Sequence, residues 1–303
     1  MADRRLQVFH TVARLLSFTK AAEILHMTQP AVTFQIKQLE EQFNTRLFDR
    51  THNRISLTEA GTIVFEYAER ILNLYSELQN RVGEMTGDVR GVLLLGASTT
   101  IAEYMLPRVL GDFKERYPEV QVRMHVANTD RIVSMVEDNT IDLGVVEAAV
   151  SNKSLAVRKC CMDQMVAIFP PTHFLAQQSS VRAADLLNYA FVSREEGSGT
   201  REVTNEYLAA AGLDPNDLNI TMELGSPESV KGAVEGGLGI SVVSEATVRK
   251  EIALGTLVAI PLEPPLARPF LFVYQKQKFR SHVMDEFLEF AKERCGDEWV
   301  FPS

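Results

Sequence analysis

The sequence predicts a chain in three parts: an N-terminal all-α winged helix-turn-helix, a long linker helix, and a two-lobed α/β region. Three observations predict it. Between Phe18 and Leu57, two short helical patterns meet at a tight turn and are followed by a small hairpin pattern. From Val64 to Met85, apolar residues recur at intervals of four and three. From Val92 onward, short apolar runs alternate with amphipathic segments, as strands and helices do in a parallel sheet.

A first helix runs from about Asp3 to Leu15, with Leu6, Phe9, Val12, Ala13 and Leu16 on its apolar side. Thr19 is the expected N-cap of the next helix, built on Ala21, Ala22, Ile24 and Leu25, and His26-Met27 is the turn. Thr28 caps a further helix whose early Pro30 is tolerated, because its missing N–H has no partner there. Val32, Ile36 and Leu39 share the buried face. The opposite face carries Gln29, Pro30, Ala31, Thr33, Phe34 and Lys37, a mixed polar surface suited to a DNA major groove. Leu47 to Leu57 reads as the wing, with Phe48, Ile55 and Leu57 inward. Arg46, Arg50 and Arg54 point to phosphate or the minor groove. These features define residues 1–58 as the DNA-binding part.

Thr58 caps a helix predicted to reach Met85. Val64, Ala68, Ile71, Tyr75, Leu78, Val82 and Met85 form a heptad seam, which a second copy of the same helix would bury. Residues 59–89 are therefore the dimerising linker, and Gly83, Gly87 and Gly91 loosen its end. In the α/β region, Val92–Leu95 is a strand and Gly96 to Thr100 the turn into a helix through Leu106, Leu110 and Phe113. Val120 to Val126 and Asp142 to Val146 are further strands around a helix at Ile132–Val136. A second unit begins near Val166. It includes a helix at Asp185–Leu187, the strand Phe191-Val192, the loop Arg194 to Arg201 and a helix to Ala211. It continues through a strand at 220–224, a helix opened by Ser226, and strands at Gly239–Val243 and Leu257–Leu262. Phe270–Tyr274 returns to the first unit, and a last helix covers His282 to Lys292. Lobe I is thus about 90–164 with 268–303, and lobe II about 165–267.

Three of the turns that open helices carry hydroxyls: Ser98-Thr99-Thr100, Gly197-Ser198-Gly199-Thr200, and Ser226. Backbone N–H groups and the helix dipole favour an anion at such points. Ordinary capping also explains each one taken alone. Arg201 offers a charge beside the second turn. Glu147, just after a strand, opposes a simple anion unless a proton, cation or donor compensates.

Composition narrows the function classes. The formal charge is −9, yet residues 1–58 hold Arg4, Arg5, Arg14, Lys20, Lys37, Arg46, Arg50 and Arg54 against Asp3, Glu23, Glu40, Glu41 and Asp49, a net +3. Subtracting that from −9 leaves −12 on the remainder. Attraction to phosphate resides in the first part, and the acidic remainder opposes non-specific DNA binding. No apolar run is long enough to span a bilayer, and the N-terminus lacks the pattern of a signal peptide, so a cytoplasmic protein without membrane contact is expected. Cys160, Cys161 and Cys295 are too few for a disulfide framework, and neighbours on a strand should face opposite ways, which favours inert thiols over a metal site. There is no P-loop, no Gly-x-Ser-x-Gly, no His-Glu-x-x-His and no histidine cluster, so an enzyme, a metal and a cofactor are all unexpected.

The run Phe18-Thr19-Lys20-Ala21-Ala22-Glu23, Thr28-Gln29-Pro30-Ala31-Val32-Thr33, Leu39-Glu40, Leu47-Phe48-Asp49-Arg50 and Leu57-Thr58-Glu59-Ala60-Gly61 resembles the LysR-type transcriptional regulators. The resemblance implies a regulator of promoter DNA, a homodimer in which tetramers are usual, and an effector domain like periplasmic solute-binding proteins with the effector between its lobes. Gly96 to Ile101 and Arg194 to Arg201 look most like the branch of sulfur-assimilation and carbon-fixation regulators. That branch implies sulfite, sulfate or another small oxyanion. The alternatives are a phosphorylated or carboxylate metabolite, or a thiol sensor in place of an effector site.

Overall fold

A computed structural model describes residues 4–51, 54–86, 89–150, 152–276 and 280–295. The predicted wing contacts Arg50 and Arg54, the seam residue Met85 and the thiol of Cys295 have side chains outside the described residues, and Asp3 and Gly87 lie outside them altogether. The chain divides into two compact units, Met1–Asp88 and Val89–Ser303.

The first unit holds α1 (Arg4–Leu15), α2 (Phe18–Ile24), α3 (Gln29–Phe43), the hairpin β1 (Phe48–Thr51) and β2 (Arg54–Leu57), and α4 (Glu59–Thr86). Its core gathers Phe9, Val12, Phe18, Ala21, Val32, Ile36, Leu39, Leu47 and Phe48. The cap of α2 is Ser17, not Thr19: its side chain accepts from Lys20 N at 3.2 Å, because the helix starts two residues earlier than expected. Thr28 caps α3, accepting from Ala31 N at 3.4 Å. Glu40 Oε1 accepts from Leu47 N at 2.8 Å, which ties the end of α3 to the wing. Thr58 Oγ1 accepts from Gly61 N at 2.9 Å at the start of α4. Gly61 is glycine for a steric reason, since a Cβ there would collide with the carbonyl of Leu47.

The seam of α4 divides. Ala68 is buried and Val64 half-buried in the unit's own core. Of the later seam positions, Ile71, Leu78 and Val82 stay 46–57 % exposed and Tyr75 is half-buried, while Leu74, off the predicted seam, is 63 % exposed. The first two seam positions are therefore not available to a partner helix, contrary to the unbroken repeat the sequence predicts.

The second unit is organised by two long strands, β6 (Leu155–Phe169) and β11 (Val258–Gln275), which pair antiparallel along most of their length. Around them run β3 (Gly91–Ser98), α5 (Leu106–Arg116), β4 (Val120–Ala127), α6 (Thr129–Glu137), β5 (Leu143–Val146), β7 (Val181–Arg182), α7 (Ala183–Leu186), β8 (Phe191–Arg194), α8 (Gly199–Ala210), β9 (Ile220–Leu224), α9 (Pro227–Glu235), β10 (Ser241–Ser244), α10 (Arg249–Leu254) and α11 (His282–Cys295). Strands run in the order β10-β6-β11-β5-β3-β4, with β7 beside β11 and β8-β9 as a separate parallel pair. β3 is parallel to both β4 and β5.

Each long strand crosses from one lobe to the other. One lobe packs β3, β4, β5, α5, α6 and α11 against the first half of β6 and the second half of β11. Phe113, Phe287 and Phe290 meet there edge to face, with centroids 5.1 and 5.3 Å apart. Such pairs contribute about 0.5–1.5 kcal/mol beyond their burial. The other lobe packs β8–β10 and α7–α9 on the remaining halves.

Two expectations are corrected. Gly96-Ala97-Ser98 is strand rather than turn, because pairing with β4 extends β3 through Ser98. The segments at 257–262 and 270–274 are one strand, with a register shift around the intervening prolines.

Candidate functional site

In the first unit, the DNA-facing residues predicted on α3 lie opposite its core stripe. Gln29, Pro30, Phe34 and Lys37 are exposed, and Ala31 and Thr33 are half-buried. Phe34 is 57 % exposed although it is a large aromatic side chain. The buried stripe Val32, Ile36 and Leu39 fixes this orientation. Lys37 is loosely held, 3.8 Å from the equally exposed Glu41. Ser17 and Thr28, each one residue ahead of its helix, set where α2 and α3 start.

In the second unit, ligand chemistry converges where parallel strands end, the usual place for a ligand in an open α/β sheet. β3 ends at Ser98, β4 leads into Asn128-Thr129, and β5 leads into Glu147. From the other lobe, β8 and β9 lead toward Ser198 and Ser226, which precede α8 and α9. The lobes touch directly here. Asp130 N donates to Gly197 O at 3.3 Å, and Asn128 Nδ2 donates to Glu196 O at 3.2 Å. A Cβ on Gly199 would come within 2.8 Å of both Glu147 Cγ and Thr129 Oγ1, so the approach of α8 to the facing lobe requires glycine.

A buried cation crosses this contact. Arg268, 1 % exposed on β11, donates from Nε to Asp163 Oδ2 at 2.8 Å and from Nη1 to Thr200 Oγ1 at 2.9 Å. Glu147 Oε1 lies 3.7 Å from Nη1. Ser244 donates to the other Asp163 oxygen at 2.7 Å. Burial pushes the Asp163 carboxyl above its ordinary range, against the lowering influence of Arg268 and Ser244. Four buried polar atoms of this region, Ser98 Oγ, Thr129 Oγ1, Glu147 Oε2 and Arg268 Nη2, have no hydrogen-bond partner within the protein. Buried polar groups are nearly always paired, so a cluster of unpaired ones marks a place built to receive polar atoms.

A second contact joins the two lobes. Lys231, 3 % exposed on α9, sits 5.4 Å from the Tyr104 ring and donates to Thr247 O and Glu251. Tyr104 belongs to a π-helical turn, Ile101–Met105, that starts after Thr100. Glu103 on the same turn has its carboxyl pushed up by burial and by Glu228, with Arg194 and Lys231 acting in the opposite sense.

Ser98, Thr100, Glu147, Ser198 and Thr200 are all buried at or beside this junction, and Thr99 and Gly197 are half-buried. Two predicted residues are already engaged elsewhere. Arg201 pairs with Glu223 and donates to Arg194 O, and Ser226 accepts from Ser229 N at 3.2 Å as an ordinary cap. Thr129, Asp163, Lys231 and Arg268 did not emerge from sequence reasoning. Asn128-Thr129 has the same signal as the other turns, a hydroxyl between strand and helix. Arg268 and Asp163 lie on strands that carry other charges too, Glu263 on β11 and Arg158 and Lys159 on β6, so neither stands out in the sequence.

Comparison with known proteins agrees with this architecture. Residues 4–62 match the bacterial regulatory helix-turn-helix protein, lysR family, and residues 86–296 match the LysR substrate binding domain. A probable RuBisCO transcriptional regulator of Cyanophora paradoxa is 38 % identical over 256 residues, covering 84 % of this chain and 79 % of its own. The Synechocystis PCC6803 CcmR regulatory domain, solved in complex with 2-PG, is 30 % identical with a TM-score of 0.63, covering 71 % of this chain and all of its own. Full-length CbnR, solved with its target DNA, shares the fold at a TM-score of 0.56 and 21 % identity, covering 97 % of this chain and 99 % of its own. The chain belongs to the LysR family: it is an effector-responsive, DNA-binding transcriptional regulator homologous to regulators of RuBisCO operons, and not an enzyme.

Proposed function

We propose that the effector is a small phosphorylated carboxylate held in the cleft between the lobes by Thr100, Ser198, Thr200 and Arg268, with Ser98 and Thr129 as further donors. The observation that carries this reading is the convergence of Arg268 with unpaired buried polar atoms at the ends of the parallel strands. Arg268 is fully compensated by Asp163 and faces Glu147, so the local charge is not positive. A compact dianion such as sulfate or sulfite would gain little there. A longer ligand with two separate anionic groups can spread them over several donors, the hydroxyls of both lobes, the N-terminus of α8 and the unpartnered Nη2 of Arg268. The 2-PG complex of the Synechocystis relative supports the same class. Calorimetry of the full-length protein with 2-phosphoglycolate, sulfate and sulfite tests it. Saturable binding of sulfite or sulfate with no binding of 2-phosphoglycolate would reverse the assignment.

On DNA, we propose that Gln29, Pro30, Ala31, Thr33, Phe34 and Lys37 face the major groove and that Arg50 and Arg54 contact the backbone or minor groove. Gln29→Ala should relax base preference, at a cost of about 1–3 kcal/mol for a bidentate base contact. Arg54→Ala should weaken all sequences alike and reduce the salt dependence. Identical changes in preference and salt slope for both variants would overturn this division. The active species is a homodimer joined through the exposed stripe of α4, with a tetramer as its further assembly. Such a regulator works in the compartment that holds the DNA, the cytoplasm.

A further inference from the structure

The first half of β6 has β11 on one side only, because β10 pairs with residues 165–168 alone. Along that half, Cys161 stands opposite Phe270 and Lys159 opposite Leu271, so Cys160 is an inserted residue with no opposite number. Such a bulge bends the strand and redirects side chains. Neighbours in an unbroken strand point to opposite faces. Here Cys160 and Cys161 line the same cavity, against the expectation from the sequence.

The cavity has a volume of about 610 Å³, inside the range of roughly 300–1,000 Å³ typical of small-molecule sites. Its floor is apolar: Phe272 of β11 and Leu288 of α11 are both buried. Its rim is basic: Arg158, Lys159 and Lys292 are all exposed. Glu289 lies 3.9 Å from Lys292, and Asp285 feels the charge of Arg158, but no carboxylate is among the described residues that line the cavity. None of the cleft residues Thr100, Glu147, Thr200 and Arg268 lines it either. An apolar floor under three cations matches an amphiphile with one anionic end.

We propose that this cavity is a second ligand site, separate from the cleft, for a monoanion with a short apolar body: an aryl or medium-chain aliphatic carboxylate. The apolar body lies on Phe272 and Leu288 beside the two thiols, and the carboxylate faces Arg158, Lys159 and Lys292.

Octanoate is the probe, titrated calorimetrically into the full-length protein, with octylamine as the control of equal body and opposite charge. Octanoate should bind saturably at one site per chain, and octylamine should not. The exposed double variant Arg158→Glu/Lys159→Glu should keep the wild-type thermal midpoint and bind octanoate about tenfold or more weakly, as expected when two exposed attractive contacts become repulsive. Cys160→Trp, which fills the cavity from a half-buried position, should abolish binding. Thr200→Val, in the cleft, should leave it unchanged. The proposal is overturned by no saturable binding at millimolar octanoate, by equal affinity in the charge-reversed variant, or by loss of binding in Thr200→Val, which would put the octanoate in the cleft.

Discussion

Arg268 reaches Asp163 at 2.8 Å, Thr200 at 2.9 Å and Glu147 at 3.7 Å while almost wholly removed from water. Removing one member of such a buried set leaves the other charge uncompensated, at a cost of about 3–5 kcal/mol. Arg268→Met should therefore destabilise the protein by roughly that amount at neutral pH. The sign of the pH effect follows from Asp163, whose carboxyl is already raised by burial. A raised acid favours the folded state when protonated, so stability falls as pH climbs from the ordinary carboxylate range through the raised value. Without the guanidinium, Asp163 rises further. The penalty of Arg268→Met should then shrink as pH is lowered, and Arg268→Met/Asp163→Leu should recover much of the loss at neutral pH. Urea unfolding across pH measures both; a penalty independent of pH would mean that Asp163 is not the group left exposed to the change. This pair also shows what the sequence could not disclose. Ser98, Thr100, Ser198 and Thr200 are legible because hydroxyls recur at several strand-to-helix turns, although ordinary capping explains each one taken alone. Arg268 and Asp163 lie 105 residues apart, and only the crossing of two strands brings them together.

At the scale of elements, periodicity was legible wherever one face of a segment is buried. The stripe Val32, Ile36 and Leu39 oriented α3 correctly. Alternation located β4 as well, although Met124 and Val126 of its apolar face stay exposed. It misled where an element serves two purposes. In α4 the repeat is continuous, yet Ala68 completes the core of its own unit while Ile71, Leu74, Leu78 and Val82 remain open to water. In β6 the residues from Val157 to Lys159 are exposed along an unpaired edge, so no apolar run announced the strand. The 28 residues of α4 span roughly 42 Å. Its exposed apolar stripe runs from Ile63 and Tyr67 through Ile71, Leu74, Leu78 and Val82, and a second copy would bury it. Ile71→Glu/Leu78→Glu places like charges across that contact without touching the core. Sedimentation should show a shift to monomer and operator affinity should fall with it, while the thermal transition of the effector unit holds. An unchanged dimer would assign the interface to other surfaces.

For the whole molecule, the net +3 of residues 1–58 is offset by a net −4 on residues 59–88, so the first unit sums to −1 and the second to −8, and attraction to phosphate is local to residues 1–58. The acidic unit is held off phosphate and can influence binding only through its own conformational equilibrium. The cleft supplies that equilibrium, because the same residues that would hold a ligand also hold the lobes together. Asp130 meets Gly197, Asn128 meets Glu196, and Thr200 meets Arg268 across it. A ligand entering there as proposed would change the relation of the lobes, and it would alter DNA affinity only by as much as it prefers one arrangement over the other. That coupling is reciprocal: the factor by which 2-phosphoglycolate changes operator affinity must equal the factor by which operator changes affinity for 2-phosphoglycolate. Thr200→Val removes a hydroxyl at the junction with little change in volume. It should abolish the ligand's effect on operator binding and the reciprocal effect of DNA, while dimerisation and affinity for DNA without ligand stay near those of the wild type. Fluorescence titration of operator with and without ligand, and of ligand with and without operator, reads both arms. If the variant retained the full coupling factor, the effector would act through a site that does not include Thr200, and the assignment of the cleft would fail.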